Sequence, residues 1–524
     1  CCGLQPRLCT PQRHQAAICM TAAPVGTVVV DGEVVPGNLE LQQPDLRAAT
    51  GAPAARKVFV RKACPAGRLA AVITCSFGIV AAALAYTLFY LIAAPPPLPV
   101  AAPLPSADRV LTRVVHGSCS KQTLPQPFWS TVGSLAPDLF VYNGDIVYGD
   151  CADVAQPHEA WSEPACEELR TAWADLFAHE EFTSARAVTP VIGMPDDHDY
   201  GLNDCGASNP YKQTAKDLFL ERFGAAEDDP RRSRGGLYTS HAFGAAPNRT
   251  QVILLDTRWF RSELKRDSGA AHGRYAPYTE AEAEAGRLTM LGEEQWAWLE
   301  ARLREPADLR LVFSTVQVLS TAHGWERWGL IPTEVRRLRK LIRSAAASGV
   351  VFLSGDRHVG GLYVQPAAAG LNPYPLYEAT ASSLTHTVPP SLATRDEPPH
   401  ELDADLSSAA RRLGGLLHLN HVGSVDVDWE ARAITLRLIT DDTCAAPAWE
   451  GCQQGGGAAG ATERSVTLQL DVDLAPPPEC GRPCATPLNP AATCAAFEGL
   501  FSCAGSSELL GCNCTGCCAG EGEL

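Results

Sequence analysis

Between residues 109 and 474, short apolar runs alternate with longer stretches of mixed character. Val110–Val115, Leu139–Tyr142, Val188–Ile192, Gln251–Leu255, Leu309–Phe313 and Val350–Leu353 are each too short for a helix and read as buried strands. Between them lie segments with helical spacing. Gly292–Leu303 has glutamates in its first turn and an arginine late, as the helix dipole favours. Pro332–Arg343 places Val335, Leu338, Leu341 and Ile342 on one face. Strands alternating with helices predict an α/β domain. Ser424–Asp428, Ala433–Thr440 and Ser465–Asp473 then alternate apolar with polar residues, as antiparallel strands with one wet face do. They are expected to close a sheet edge of the same domain.

Upstream the pattern differs. Residues 1–68 show no sustained periodicity and are expected to be disordered. Leu69 to Ala94 runs without a charged residue and predicts a transmembrane helix, since about 20 apolar residues cross a bilayer. Arg56, Lys57, Arg61, Lys62 and Arg68 crowd its upstream flank, and no charge follows before Asp108. By the positive-inside rule the N-terminal region is cytosolic and the rest extracellular or lumenal, a single-pass type II arrangement. Residues 95–108 are Pro-rich and read as a stiff stalk. The chain begins at Cys1 and not at methionine, so further residues are expected before it.

Composition adds three points. A formal net charge of -16 argues against non-specific nucleic-acid binding, which needs basic patches. Of 20 cysteines, eight fall between Cys480 and Cys518, so residues 475–524 read as a small disulfide-stapled module in an oxidising compartment. A zinc module is the rival reading there, through Cys514 and Cys517. Cys444 and Cys452 suit a local disulfide, and Asn248 and Asn513 stand in glycosylation sequons.

The strand ends carry the chemistry. Cys119 lies in HGSCS, Asp145 and Tyr148 in NGDIVYGD, Asp196–Asp199 in DDHDYG, Asp256-Thr257-Arg258 after Leu255, and Asp356-Arg357-His358 in SGDRH. Ligands of open α/β sheets gather at the carboxyl ends of strands. Each residue has a plainer reading alone: Cys119 as a small buried residue or half a disulfide, Asp196–Asp199 as a solvated loop, His116 as structural. Together they bring many acids to one edge, which repel unless cations intervene.

These blocks resemble the alkaline phosphatase D (PhoD-like) family of calcineurin-like metallophosphatases, over roughly Arg109 to Asp473. The resemblance implies a four-layer α/β/β/α sandwich and a metal-dependent phosphoesterase. It would hydrolyse phosphate mono- or diesters by attack of a metal-bound hydroxide. It further implies an Fe3+ site at Cys119, Asp145, Tyr148 and His358. A second divalent ion, Ca2+ by preference, would bind Asp145, Asp197 and Asp356, with Asp145 bridging. Phenolate and thiolate suit a highly charged ion, and carboxylates suit calcium. His198 would face the leaving group. Arg258 is a candidate phosphate clamp, with a salt bridge to Asp256 as the alternative. Asp199 and Pro195 depart from the glutamate and tryptophan frequent in the family. A cell-surface binding protein on the same scaffold is the rival function, and a metallopeptidase is excluded by the lack of HExxH.

Overall fold

The computed structural model describes residues 100–151, 166–267, 274–321, 323–388, 410–440 and 462–475. The N-terminal region, the apolar run 69–94, Cys444 and Cys452, and the Cys-rich segment from 476 onward lie outside the described residues. Among the described residues, no helix is long and apolar enough to cross a membrane. The described end of the Pro-rich segment is part of the domain. Ala102 donates its N–H to Arg186 O at 2.8 Å, and Gly244 N–H reaches Ala107 O at 2.8 Å. The described domain therefore starts several residues earlier than expected.

Thirteen strands form two mixed sheets among the described residues. They are β1 (Arg113–Gly117), β2 (Leu139–Asn143), β3 (Val191–Met194), β4 (Thr239–Phe243), β5 (Thr250–Leu255), β6 (Leu309–Ser314), β7 (Val350–Ser354), β8 (Gly360–Gln365), β9 (Leu376–Ala381), β10 (Arg411–Arg412), β11 (His421–Asp428), β12 (Ala433–Thr440) and β13 (Thr462–Gln469). The first sheet runs β13-β12-β11-β1-β2-β3 and the second β10-β8-β9-β7-β6-β5-β4. Within the first, β1, β2 and β3 are mutually parallel, and the C-terminal strands add antiparallel to β1 as an edge. Within the second, β5, β6, β7 and β9 are parallel. All five residues of β2 and of β7 are buried, which explains why these strands read as unbroken apolar runs. The His116 ring on β1 meets Phe313 on β6 edge-on, centroids 5.8 Å apart, so the two sheets share one core.

Several predicted elements shift: Val110–Val115 is observed as Arg113–Gly117, and the strand predicted from Ser424 starts at His421. Val188–Ile192 is split, because the helix Glu180–Val188 ends there and β3 starts only at Val191. Pro190 disfavours helical backbone at Thr189, which is extended. The last strand begins at Thr462 and ends at Gln469, earlier than its predicted bounds, because Asp473 turns back to accept the Gln469 N–H at 2.7 Å.

Candidate metal centre

The parallel strands of each sheet end together, and the chain leaves them through left-handed turns. Cys119 follows β1 with φ 62°, Asp145 follows β2 with φ 47°, and Asp356 and His358 follow β7 with φ 70° and 53°. Positive φ at a non-glycine residue costs about 1 kcal/mol or more and persists only where the surroundings fix it. Several bonds do so here. Ser120 N–H donates to Asp145 O at 2.8 Å, His358 N–H to Ser382 Oγ at 2.8 Å, and the Asp199 carboxylate accepts Ile146 and Val147 N–H at 3.1 and 2.8 Å. Asp199 thus holds the turn that aims Asp145. Gly144 (φ 93°) admits no side chain, since a Cβ would lie 2.6 Å from that of Asp196.

All six residues expected to hold metal come together with His198. On one side, the ligand atoms of Cys119, Asp145 and His358 lie within 4.8 Å of one another. Tyr148 Oη joins them, 3.3 Å from Asp145 Oδ2 and 3.1 Å from His358 Nε2. On the other side, Asp196, Asp197 and Asp356 form a second such group, and Asp145 reaches it through a third with Asp197 and His198. Asp145 is therefore common to both sides. Asp145 Oδ1 and Asp197 Oδ1 are buried without a hydrogen-bond partner. Buried carboxylate oxygens are ordinarily bonded, so these two orphans and the donors around them fit a pair of cations.

The electrostatics agree. Burial pushes the Cys119 thiol up to about 11, partly offset by the Ser118 and Ser382 hydroxyls. Burial, then Cys119 and Asp197, raise the Asp145 carboxyl well above its usual range. Burial, then Glu326, Asp196 and Asp197, do the same to Asp356, and burial with Asp145 and Cys119 raises the Tyr148 phenol. Burial, then His386, His198 and Arg357, push His358 well down. Without a cation, protons would satisfy these donors; a cation must displace them. Two groups behave otherwise. Burial favours neutral Asp197, but Arg258 and His198 outweigh it and hold the carboxyl low. Burial would discharge His198, but Asp197, Asp145 and Asp150 raise it to about 11. His198 Nδ1 meets Asp150 Oδ2 at 2.7 Å, and its ring lies over Tyr148 with centroids 4.2 Å apart.

Arg258 corrects the sequence reading. It is 1% exposed, and each of its three guanidinium nitrogens faces a carboxylate. Nε and Nη2 grip Asp196 at 2.5 and 2.9 Å, and Nη1 meets Glu326 at 2.6 Å. Nη2 also lies 3.7 Å from both Asp197 and Asp356. Four of its five N–H donors are bonded, counting Nη1 to Cys205 O at 3.3 Å, and the fifth, on Nη2, faces Asp197 and Asp356, so Arg258 is the counter-charge beneath the carboxylates. The alternative pairing with Asp256 is not made either. That carboxylate accepts from Tyr200 Oη at 2.7 Å and from the Leu237, Arg258 and Trp259 amides.

Sequence reasoning missed Glu326, Asp150 and His386. His386 Nε2 stands 3.2 Å from Tyr148 Oη. It follows β9, a strand whose buried Glu378 disguises its apolar character and accepts the Val318 and Leu319 amides at 2.9 and 2.7 Å. Among the described cysteines, Cys151 and Cys166 form a disulfide, and Cys119 and Cys205 are free and buried. A free Cys119 agrees with the ligand role that the resemblance implies and not with the half-disulfide reading.

The model of the PhoD-like phosphatases matches residues 114–438, and the chain belongs to that family, whose members are metal-dependent phosphatases. The solved structure described as "Structure of PhoD" is similar at 16% identity and a TM-score of 0.53, over 70% of this chain and 71% of that one, and shares the fold. GAP50, the anchor in the inner membrane complex of Plasmodium, is matched at 12% identity and a TM-score of 0.38, over 69% of this chain and 90% of that one. No curated protein sequence matches.

Proposed function

We propose, from this family membership and the donor set, that the chain hydrolyses phosphate mono- or diesters at a two-metal centre. Cys119, Asp145, Tyr148 and His358 would hold Fe3+, and Asp145, Asp197 and Asp356 a divalent ion, calcium by preference. The observation that carries the reading is the position of Asp145. One carboxylate touches a thiol and phenol on one side and reaches an all-carboxylate group on the other. Thiolate and phenolate are anionic donors for a highly charged ion, and hard oxygens suit calcium. Bound cations supply an acidified water and neutralise charge gathering on the phosphoryl oxygens.

The chain's own residues supply the rest. Asp197 and Asp145, together with Asp150 bonded at Nδ1, keep His198 charged, so Nε2 carries the proton available to a leaving oxygen. Tyr148 packs against that ring and limits its rotation. Arg258 and Glu326 hold Asp196 and flank Asp197 beneath the site. The four-layer arrangement of the family is the architecture that suits two sheets meeting over one core. The uncharged run 69–94 and its basic flank support a type II anchor with this domain extracellular or lumenal; glycosidase treatment shifting the mass through Asn248 tests that orientation.

The activity is tested with the purified full-length chain in detergent, assayed on aryl phosphate mono- and diesters before and after chelation. Hydrolysis abolished by chelation and restored by metal is expected. Failure to hydrolyse either ester with both metals bound would overturn the reading.

A further inference from the structure

With Arg258 committed to carboxylates, the centre still needs a cation that an incoming phosphoryl group can engage. Four other arginines surround it. Arg261 is tied to Glu326 at 2.7 Å and to the Asp204 and Cys205 carbonyls at 2.8 and 2.7 Å. Arg274 is paired with Asp204 at 2.5 Å. Arg327 donates from Nε to His323 O at 2.6 Å. Arg357 differs from all of them. It is 7% exposed, its Nε is buried without a partner, and among the described residues its guanidinium makes no hydrogen bond and no ion pair. The one contact recorded for it is aromatic, with the guanidinium carbon 5.8 Å from the Trp325 ring centre. Trp325 in turn has Arg274 5.1 Å from its centre.

A face-on aromatic ring attracts a cation but cannot neutralise it or accept its hydrogen bonds. Only Nε is buried without a partner; Nη1 and Nη2, equally unbonded, keep contact with solvent, so the fork stays open to an incoming anion. The backbone of Arg357 is fixed on both sides by candidate metal ligands, Asp356 before it and His358 after it. Its N–H closes the turn onto Gly355 O at 2.9 Å. Its chain neighbours are candidate ligands and its fork of N–H donors is uncommitted, the arrangement that can bind two phosphoryl oxygens at once.

We propose that Arg357, and not Arg258, is the arginine that binds the non-bridging oxygens of the substrate's phosphoryl group. This rests on the phosphoesterase reading above and adds to it a named residue and a bond. Arg357 would position the phosphoryl group and screen the charge gathering on it.

The experiment uses the full-length, metal-loaded protein with inorganic phosphate as the probe. Phosphate affinity is measured by calorimetry and by thermal shift, alongside metal content, kcat and KM, for wild type, Arg357→Gln and Arg357→Lys. Arg357→Gln is expected to weaken phosphate binding by about 10- to 100-fold, the weight of a charge-assisted bidentate contact. Its metal content should hold, and its phosphate-free melting temperature should be unchanged, because the guanidinium makes no hydrogen bond or ion pair that the substitution would remove. Arg357→Lys should recover part of the affinity. Wild-type phosphate affinity in Arg357→Gln would overturn the inference, as would a marked drop in its phosphate-free stability, which marks a structural role. A wild type that hydrolyses esters beside an unaffected Arg357→Gln refutes this inference alone, whereas a metal-loaded wild type that neither binds phosphate nor hydrolyses esters refutes the proposed function with it.

Discussion

Replacing Arg258 with methionine separates a counter-charge from a phosphate clamp. The side chain is 1% exposed and faces Asp196 and Glu326 directly, with Asp197 and Asp356 at 3.7 Å. Methionine fills a similar length but leaves those carboxylates buried without their cation. Removing one partner of a buried pair costs about 3–5 kcal/mol, and at this depth solvent offers little screening. For a domain of this size such a loss lowers the melting temperature on the order of 10 °C. The cost should depend on pH. Burial first, against the pull of Arg258 and Arg261, already raises the Glu326 carboxyl to about 7. Without Arg258 it and Asp196 rise further, so acid neutralises them and the deficit narrows from pH 8 to pH 6. Differential scanning calorimetry of both proteins across that range measures it. Unchanged melting with weakened phosphate binding would refute the argument and restore the clamp.

Three further outcomes are expected. The metal-free protein should lose stability as pH rises from 7 to 9: Asp145, Asp356 and Cys119 have raised folded values, so the native state binds more protons there, and His198, held near 11, adds the same sign. Metal displaces those protons, so calorimetry of the loaded protein should show a flatter profile, and an equal slope in both forms would contradict the assignment. Opening the Cys151–Cys166 bridge, with a sequence separation of 15, by replacing both cysteines with serine should cost about 3 kcal/mol in chemical unfolding, and no change would show that the bridge does not constrain the chain. Tyr148→Phe should bleach or shift a visible absorption band of the iron-loaded protein, since phenolate-to-ferric charge transfer needs the oxygen 3.3 Å from Asp145; an identical band would remove Tyr148 from the ligand set.

The sequence revealed most where burial is uniform. β2 and β7 are buried along their whole length and apolar up to Asn143 and Ser354, and their ends deliver Asp145, Asp356 and His358 where the pattern indicated. It revealed least where polar residues are buried for local reasons. Glu378 sits within β9 because two backbone amides need an acceptor, so the strand and the His386 that follows it were missed. The partners of Arg258 come from residues 62 and 68 positions away, and nothing in a linear pattern distinguishes a guanidinium that meets substrate from one that meets glutamate. The left-handed turn at Cys119 was equally silent, because cysteine does not advertise positive φ, whereas the aspartates at Asp145 and Asp356 are of a type that tolerates it.

Asp145 is the residue on which both halves of the centre depend, so metal stoichiometry is the most direct test. Elemental analysis of the purified full-length chain and of Asp145→Asn, each dialysed against the same metals, compares them. Two ions per chain, one of them iron, are predicted for the wild type, with both lost or nearly lost in the variant. An Asp145→Asn protein that is folded and still holds both ions would contradict the account.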